Sequence, residues 1–490
     1  MIASPLSPTS PLSPNEKEEQ MKSTMITSPS EKRHSCRFLF AALAALTSAT
    51  LPAAVPNVTG VAMSQANDRH VTITYTLSDA SAVVTVDVQT NAAANAASDD
   101  PGWTSIGGEA IWNALGDVWR RVEPGSRTIT WHPDHSWPDH KIEGNRTRAV
   151  VTAWALENTP DYMVVDLAAE NVVRYYPAVD FLPKKNFDQA GAAVTNNPDY
   201  KTSKLLMRKI MARGFECTMG STEVETLRDA TREAPHFVSF SNNFYIGVFE
   251  LTQEQWRNVM TTNTSATANF TVQTEMRPME KVSYNEIRLR SKSGAASSEE
   301  VARYSWPSNP APASFLGRLN SKTGLDFDLP SEAQWEFAAR AGHGPGYLND
   351  GSRVCNTSRG SNVDIKRLAR FSGNPTFTTE PTTPPDIGGT AIVGSHAPSD
   401  WGLYDMHGNV YEVCLDWYQA DLSSSDGTVN IKLSDPSKTL DGTAGSTRAA
   451  RGGGFDADAY KCRASYRFGN STATGYYSVG FRVVCTAGLR

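Results

Sequence analysis

The chain has 490 residues, with 52 Asp and Glu against 46 Lys and Arg and a formal net charge of −6. With 39% hydrophobic and 20% charged residues, the composition is that of a folded protein and excludes a collagen-like or wholly disordered chain. The slightly acidic balance provides no basic surface for nucleic acid, and no run of about 20 apolar residues could span a bilayer. The length predicts two or three domains.

The first 54 residues have the pattern of a leader with a signal peptide. The longest apolar stretch, Phe38 to Leu46, follows the basic residues Arg33 and Arg37, and small residues continue to Ala54. A positively charged start, a short apolar segment and a small-residue cleavage site are typical of secretory signals. A short buried helix is the alternative. We therefore expect the mature protein to be exported, whether periplasmic, displayed on the cell surface or secreted.

Residues 55–183 alternate apolar and polar side chains with a period of two. The clearest cases are 71–77 and 84–88, where Val, Ile, Tyr and Leu alternate mainly with Thr. Further strand candidates are 127–131, 148–156 and 162–167. Several short strands separated by turn residues, without a long helical pattern, predict an all-β sandwich of the fibronectin type III or immunoglobulin-like class.

One loop of this region combines histidines with carboxylates. His132, His135 and His140 alternate with Asp134 and Asp139 in the sequence WHPDHSWPDH. Imidazole and carboxylate are ordinary zinc ligands, but the spacings match no standard zinc motif. A solvated loop between strands is the favoured interpretation, with a metal site as the alternative.

Residues 184–204 are predicted to be a polar linker, and the second domain is 205–490. Cap residues in this domain predict where its helices begin. Thr252 to Gln255, Ser283 to Glu286 and Ser331 to Gln334 each place a hydroxyl three residues before Glu or Gln. This spacing is the capping box that begins a helix. Three helices are predicted to start there, and Gly342 is placed to end the third.

Seven segments of the second domain follow one another in a recognisable order. They are Phe215 to Ser221 (FECTMGS), Phe244 to Gln255 (FYIGVFELTQEQ), Arg277 to Tyr284 (RPMEKVSY), Phe315 to Gly342 (FLGRLNSKTGLDFDLPSEAQWEFAARAG), Trp401 to Tyr418 (WGLYDMHGNVYEVCLDWY), Arg451 to Phe455 (RGGGF) and Val479 to Val484 (VGFRVV). Over about 205–488 the chain resembles the formylglycine-generating enzyme or sulfatase-modifying factor family, whose fold is related to C-type lectins. The resemblance implies a loop-rich α+β domain.

The resemblance also implies a structural calcium site. The family uses the segment that reads GNVYE here, so Gly408, Asn409, Val410 and Glu412 are candidate ligands by similarity. Amide and carboxylate oxygens close in sequence are what calcium requires, although its sites usually need six or more oxygens. The alternative is a hydrogen-bonded turn in which Asn409 and Glu412 satisfy backbone amides.

The family's reaction oxidises a cysteine of a sulfatase to formylglycine with oxygen and a copper ion held by two cysteines. By similarity, the turn serine of catalytic members falls on Gly454, the first copper cysteine on Ala457, its neighbouring histidine on Asp458 and the second cysteine on Cys462. Soft copper favours a pair of thiolates, and only Cys462 is present. Copper binding and catalysis at Cys462 are therefore doubtful.

The remaining cysteines suggest a different role for Cys462. By resemblance to members without copper, Cys414 and Cys462 are expected to form a disulfide. A second bridge is predicted between Cys217 and Cys485, which leaves Cys355 free. Disulfides would suit an oxidising compartment.

Two functions remain open. The first is an exported member of the family that modifies or oxidises a polypeptide substrate, with a groove near Trp401, His407, Asp458 and Cys462. The second is a non-catalytic binding or surface-scaffold protein, in which the sandwich acts as a spacer and a surface partner is bound. Gly454 and Ala457 replace residues expected in catalytic members, and this favours the second function. Fold alone does not determine activity, so the resemblance does not decide between the two.

Overall fold

A computed structural model describes most of the chain after residue 53. The described ranges are 54–67, 69–140, 142–183, 197–225, 227–260, 274–290, 294–305, 308–352, 363–374, 389–422, 431–432 and 447–486. The predicted leader and Cys355 lie outside them. Within these ranges, none of the helices has the length and apolar character needed to cross a membrane.

The N-terminal part is rich in antiparallel strands. Its elements are β1 (Asn57–Asn67), β2 (His70–Ser78), β3 (Ala82–Thr90), β4 (Thr104–Ser105), α1 (Gly108–Ile111), β5 (Leu115–Gly116), β6 (Arg120–Val122), β7 (Gly125–Trp131), α2 (Pro133–Ser136) and β8 (Thr147–Ala155). One sheet has the order β1-β2-β7-β5, and in the other β3 pairs with β4, β6 and β8. The period-two segments are therefore strands, as predicted.

The alternation of the sequence explains which face of each strand is buried. In β2, Val71, Ile73, Tyr75 and Leu77 are buried, while the threonines between them face outward or are only partly covered. The register of β2 with β7 sets Ile73 opposite Ile129. Side chains on one face of a pleated sheet recur every second residue, so this pattern builds one apolar layer.

The histidine loop lies at the end of β7 and includes α2. His132 and His135 stack with ring centroids 6.1 Å apart, and Trp137 stacks on His140 at 4.1 Å. In the part of the chain that the structure describes, no group of three or more His, Cys, Asp or Glu side chains is placed to hold a metal ion.

The remaining strands follow the N-terminal sheets in the chain and form three further sheets. They are β9 (Tyr162–Asp166), β10 (Val173–Tyr176), β11 (Lys204–Ile210), β12 (Glu216–Met219), β13 (His236–Ser239), β14 (Phe244–Gly247), β15 (Phe327–Asp328), β16 (Tyr411–Trp417), β17 (Ile431–Lys432), β18 (Thr447–Arg451), β19 (Phe468–Ser471), β20 (Val479–Gly480) and β21 (Val484–Thr486). They make a six-stranded sheet, β10-β9-β11-β14-β21-β15, a three-stranded sheet, β12-β13-β17, and a four-stranded sheet, β19-β18-β16-β20.

The six-stranded sheet crosses the predicted domain boundary. The strand predicted at 162–167 is present as β9, but it pairs with β11 rather than with the strands of the N-terminal sheets. Val165 lies opposite Leu205, and Met163 lies opposite Met207. The predicted strand at 162–167, and β10, which was not predicted, therefore belong to the sheet of the second domain although they lie in the region assigned to the sandwich.

Helical segments of the second domain begin at all three predicted capping boxes and also at positions that were not predicted. They are α3 (Gln253–Met260), α4 (Ser298–Tyr304), α5 (Phe315–Thr323), α6 (Glu332–Arg340) and α7 (Val363–Leu368), with a π-helical turn at Asn285–Leu289. At the start of α6, the Ser331 hydroxyl accepts from the Gln334 amide at 3.1 Å, and the Gln334 side chain accepts from the Ser331 amide at 3.0 Å. The helix ends at a left-handed Ala341, with Gly342 immediately after it.

Candidate functional site

The candidate calcium segment begins as a tight turn at Gly408 and Asn409 and continues into β16, which contains Glu412. Gly408 has a φ of 134°, and a Cβ atom there would collide with the carbonyl of Arg370. Asn409 follows with a left-handed φ of 69°, and its amide donates to the same carbonyl at 2.8 Å. Only glycine allows this close approach, so the sequence GN determines the shape of the loop.

The Asn409 side chain is fully engaged by protein groups. Its oxygen accepts from the Ala391 amide at 2.7 Å, and its nitrogen donates to Glu250 at 2.6 Å. Glu250 also accepts from the Val410 amide at 3.0 Å. The buried carboxylate of Glu250, which lies just after β14, therefore holds the loop in place. The sequence alone did not indicate this partner.

Glu412 forms a buried ion pair. It accepts from the Arg482 guanidinium at 2.5 and 2.6 Å and from the Trp335 indole at 2.7 Å. Burial acts to lower the pKa of Arg482, but the Glu412 carboxylate more than offsets this effect and the pKa lies above its usual value. Paired and hydrogen-bonded in this way, both charges are tolerated in the interior.

Three buried carboxylates surround this one guanidinium. Burial raises the pKa of Glu250, and the nearby Asp405 and Glu412 add to the rise. Burial also raises the pKa of Asp405 to about 6, and one of its oxygens has no hydrogen-bond partner. Because their pKa values are raised, Glu250 and Asp405 tend to bind protons, and this reduces the excess negative charge around Arg482.

These contacts do not fit a calcium site formed by Gly408, Asn409, Val410 and Glu412. Both oxygens of Glu412 face Arg482 or Trp335, and the carbonyl of Asn409 accepts from the Phe455 amide at 2.8 Å. Few of the six or more oxygens that calcium needs are available. The arrangement matches the hydrogen-bonded turn for Asn409, whose side chain satisfies a backbone amide. Calcium binding stays a prediction.

The position predicted by resemblance for the first copper cysteine holds a buried alanine. Ala457 is 3% exposed, its amide donates to Gly454 at 2.9 Å, and its carbonyl accepts from the Ser372 amide at 3.0 Å. Its methyl group offers no metal ligand. Asp458, the neighbouring position, provides a hard carboxylate where copper chemistry favours sulfur.

Cys462 is sealed inside the protein. Its side chain is fully buried, and its sulfur donates to the Asp458 carbonyl at 3.9 Å. The backbone of Gly453 lies so close that a Cβ atom there would be 2.6 Å from the sulfur. Burial raises the pKa of the thiol far above its usual value, and the nearby Asp456 and Asp458 add to the rise. The thiol is therefore protonated at neutral pH, and the residues present do not fit copper.

His407 supports the backbone beside Cys462. One ring nitrogen is 2.8 Å from the Cys462 carbonyl, and the other accepts from the Asn349 amide at 3.4 Å. Burial lowers the pKa of His407 to about 4, so the ring is neutral. Of the predicted groove residues, His407, Asp458 and Cys462 come together, whereas Trp401 packs against Phe337 with centroids 5.4 Å apart.

Buried arginines hold the segment around these residues in place. Arg451 pairs with Glu332 and Glu336, and Arg467 pairs with Glu332 at 2.6 Å. Farther along the segment, Arg463 lies 2.8 Å from both Glu225 and Glu233. The loop from the RGGGF motif to β19 is thus fixed by pairs that connect it to distant parts of the chain.

Neither predicted disulfide is formed in the structure. Cys217, Cys414, Cys462 and Cys485 are all free thiols. Cys217 lies in β12 of the three-stranded sheet, whereas Cys485 lies in β21 of the six-stranded sheet, opposite Tyr245. Because the two strands belong to different sheets, the predicted pairing does not follow from their positions.

The other predicted pair also lies in two different elements. Cys414 lies in β16, and its sulfur donates to the carbonyl of Glu412 at 3.7 Å. Cys462 lies on a 3₁₀ turn and donates to a carbonyl of its own turn. Each thiol is occupied locally, so the structure provides no bridge between these elements.

Comparison with known proteins shows which family this chain is similar to. The family model for the sulfatase-modifying factor enzyme 1-like domain matches residues 198–487. Formylglycine-generating enzyme of Thermomonospora curvata is 32% identical over 185 residues, covering 37% of this chain and 54% of the relative. Serine/threonine-protein kinase pkn1 of Chlamydia pneumoniae is 27% identical over 285 residues, covering 58% of this chain and 38% of the relative.

Among solved structures, PvdO from Pseudomonas aeruginosa aligns with a TM-score of 0.42 and 20% identity, covering 58% of this chain and 94% of PvdO. The chain spans about half the length, or less, of the curated relatives that it matches first. The family model covers more than half of the chain and includes all seven segments that carry the resemblance. This chain therefore belongs to the sulfatase-modifying factor enzyme 1-like family.

Proposed function

We propose that this protein is an exported, non-catalytic binding member of its family. The observation that carries the proposal is the buried Ala457 at the position of the first copper cysteine. Soft copper favours a pair of thiolate ligands. Cys462 supplies only one sulfur, so a two-thiolate copper site cannot form.

The remaining cysteine supports the same conclusion. A thiol binds metal or reacts as its thiolate, and burial keeps Cys462 protonated. The charge of Lys461 acts to lower the pKa of the thiol, but burial together with Asp456 and Asp458 outweighs it. Cysteine oxidation at this position would require both a new ligand and an opened approach.

We propose that the N-terminal sheets form a sandwich of the fibronectin type III or immunoglobulin-like class, which acts as a spacer. Two antiparallel sheets with alternating buried residues support this assignment. Export rests on the signal-peptide pattern. Expression of the full chain in a bacterial host should yield an exported protein that begins near Ala54, and retention with an intact leader would contradict export.

Metal analysis and oxygen consumption test the absence of catalysis. The purified protein should bind no copper and should consume no oxygen in the presence of a cysteine peptide. Cys462→Ala and Cys414→Ala form a matched pair, because both remove a fully buried thiol but only Cys462 lies at a copper position. Stoichiometric copper that is lost in Cys462→Ala and kept in Cys414→Ala would instead support the oxidase alternative, which the relatives named formylglycine-generating enzyme favour.

A further inference from the structure

Arg448 in β18 is a buried arginine that forms no ion pair with any described residue. It is 2% exposed. Five other arginines of the family domain have side chains that are at most 2% exposed, and each pairs with a carboxylate: Arg288 with Asp328, Arg451 with Glu332 and Glu336, Arg463 with Glu225 and Glu233, Arg467 with Glu332, and Arg482 with Glu412. Arg448 is therefore the exception among these six buried cations.

One edge of the Arg448 guanidinium is occupied and the other is free. Its Nη1 atom donates to the Leu415 carbonyl. Its Nε and Nη2 atoms are buried and have no hydrogen-bond partner in the part of the chain that the structure describes. These two N–H groups form a fork that suits a negatively charged acceptor. Since buried donors are nearly always paired, the free edge would strongly stabilise an acceptor from outside the chain.

Two aromatic rings hold the guanidinium in place. Its central carbon lies 3.4 Å from the ring centroid of Trp417 and 4.3 Å from that of Tyr284. Cation–π contacts stabilise a charged group but provide no acceptor for its N–H groups. Trp417 is itself half-buried, so this ring is the part of the enclosure that borders solvent.

Two neighbouring side chains also have polar atoms without partners. Asn470 of β19 lies directly opposite Arg448, and its Oδ1 atom has no hydrogen-bond partner among the described residues. Its Nδ2 atom makes one bond of 3.2 Å to the Ser471 carbonyl. The Tyr284 hydroxyl is buried and unpartnered as well. A hydroxyl, and an amide after rotation about its last bond, can each donate a hydrogen bond, so both side chains can contribute to an anion site.

The charges around Arg448 do not neutralise it. Burial lowers the pKa of Arg448, and the nearby Asp416 and Asp328 do not offset this effect. The carboxylate of Asp328 is already held by Arg288 at 3.0 Å. For Arg482, by contrast, the paired carboxylate more than offsets burial. An arginine stays protonated in proteins, so Arg448 carries a charge that the described side chains compensate only in part.

We propose that the free edge of Arg448 binds a small monovalent anion, for which chloride is the representative ligand. The ion would accept from Nε and Nη2 and would supply the negative charge that the other five arginines obtain from carboxylates. The edge is enclosed, so the ion would enter when the Trp417 ring moves outward. Because Trp417, Arg448 and Asn470 lie in β16, β18 and β19, the ion would stabilise the four-stranded sheet. The site involves no covalent step and does not depend on the proposed function.

Unfolding by urea in matched salts tests the proposal. The full protein is unfolded in sodium chloride and in sodium gluconate at the same ionic strength, so that general screening is equal. Chloride should stabilise the protein, whereas gluconate is too large for the enclosed edge and should not. Each tenfold increase in chloride above its dissociation constant should add about 1.4 kcal/mol to the free energy of unfolding.

Two variants locate the effect. Arg448→Met removes the fork and should abolish the difference between chloride and gluconate. Arg340→Met is the matched control, because Arg340 is also buried but pairs with Glu336 at 2.6 Å. This control should unfold at a lower urea concentration and keep the full response to chloride.

Diffraction from wild-type crystals grown in sodium bromide tests the site without relying on a variant. Bromide should give an anomalous peak within hydrogen-bond distance of Nε and Nη2 of Arg448. Equal stability in the two salts, or a chloride response that persists in Arg448→Met, would overturn the proposal. Bromide found only at exposed positions would be an adventitious ion only and would overturn it too. None of these outcomes depends on copper, so the proposed function stands or falls separately.

Discussion

Replacing Glu412 with Gln tests whether this residue serves an ion pair or a calcium ion. The substitution leaves the neighbouring buried Arg482 without the carboxylate that accepts its two hydrogen bonds. Breaking a buried pair costs about 3 to 5 kcal/mol, because one charge stays uncompensated in the interior. Glu250 and Asp405 lie close enough to offset part of this loss by releasing their protons, so we expect a cost of about 3 kcal/mol.

The assay is chemical denaturation with and without a calcium chelator. Glu412→Gln should lower the free energy of unfolding equally in both conditions, and the chelator should not change the wild-type midpoint. Glu143→Gln is the matched control, because its partner Arg146 is 3.5 Å away and both side chains are about half exposed. A wild-type midpoint that falls with the chelator, together with a variant that no longer responds, would refute the ion-pair reasoning and support calcium.

Three further predictions concern the shared sheet, a buried acid and the thiols. Met163→Ala in β9 should destabilise the family domain by about 2 to 4 kcal/mol within a single unfolding transition, whereas Met211→Ala, 52% exposed, should change little. A separate early transition would contradict a common sheet. Burial raises the pKa of Asp416 to about 6. Because this pKa lies above the ordinary value, the stabilisation is lost as pH rises, so the unfolding free energy of wild type relative to Asp416→Asn should fall by about 2 kcal/mol from pH 4 to pH 7. Parallel pH profiles would refute this. Alkylation of unreduced, denatured protein followed by peptide mapping should label Cys217, Cys414, Cys462 and Cys485, and a Cys414–Cys462 or Cys217–Cys485 peptide would restore the predicted disulfides.

Local sequence patterns predicted local structure well. The capping box at Ser331 and the alternation along β2 each act within a few residues, so the sequence shows both partners of the interaction at once. The same locality explains the assignment of Ala457, because the RGGGF motif lies immediately before it.

Partners far apart in sequence were not predictable in the same way. Glu412 is 70 residues from Arg482, and Asn409 is 159 residues from Glu250, so no periodic pattern connects them. The pairing of β9 with β11 was missed because a polar stretch between them looked like an interdomain linker. The disulfides that the family resemblance suggested are not present in the described structure, where Cys217, Cys414, Cys462 and Cys485 are free, and they stay a prediction.

The sheet that contains both β9 and β11 also has a mechanical consequence. A flexible tether would let the N-terminal strands and the family domain rotate independently, but the N-terminal part contacts this sheet directly, since the Tyr175 amide of β10 donates to the Trp119 carbonyl at 2.8 Å and Trp119 stacks on Tyr176 with ring centroids 5.2 Å apart. Tension between the N-terminal strands and the family domain would have to break these contacts before the two parts could separate. We therefore expect the N-terminal part to act as a stiff arm for the family domain.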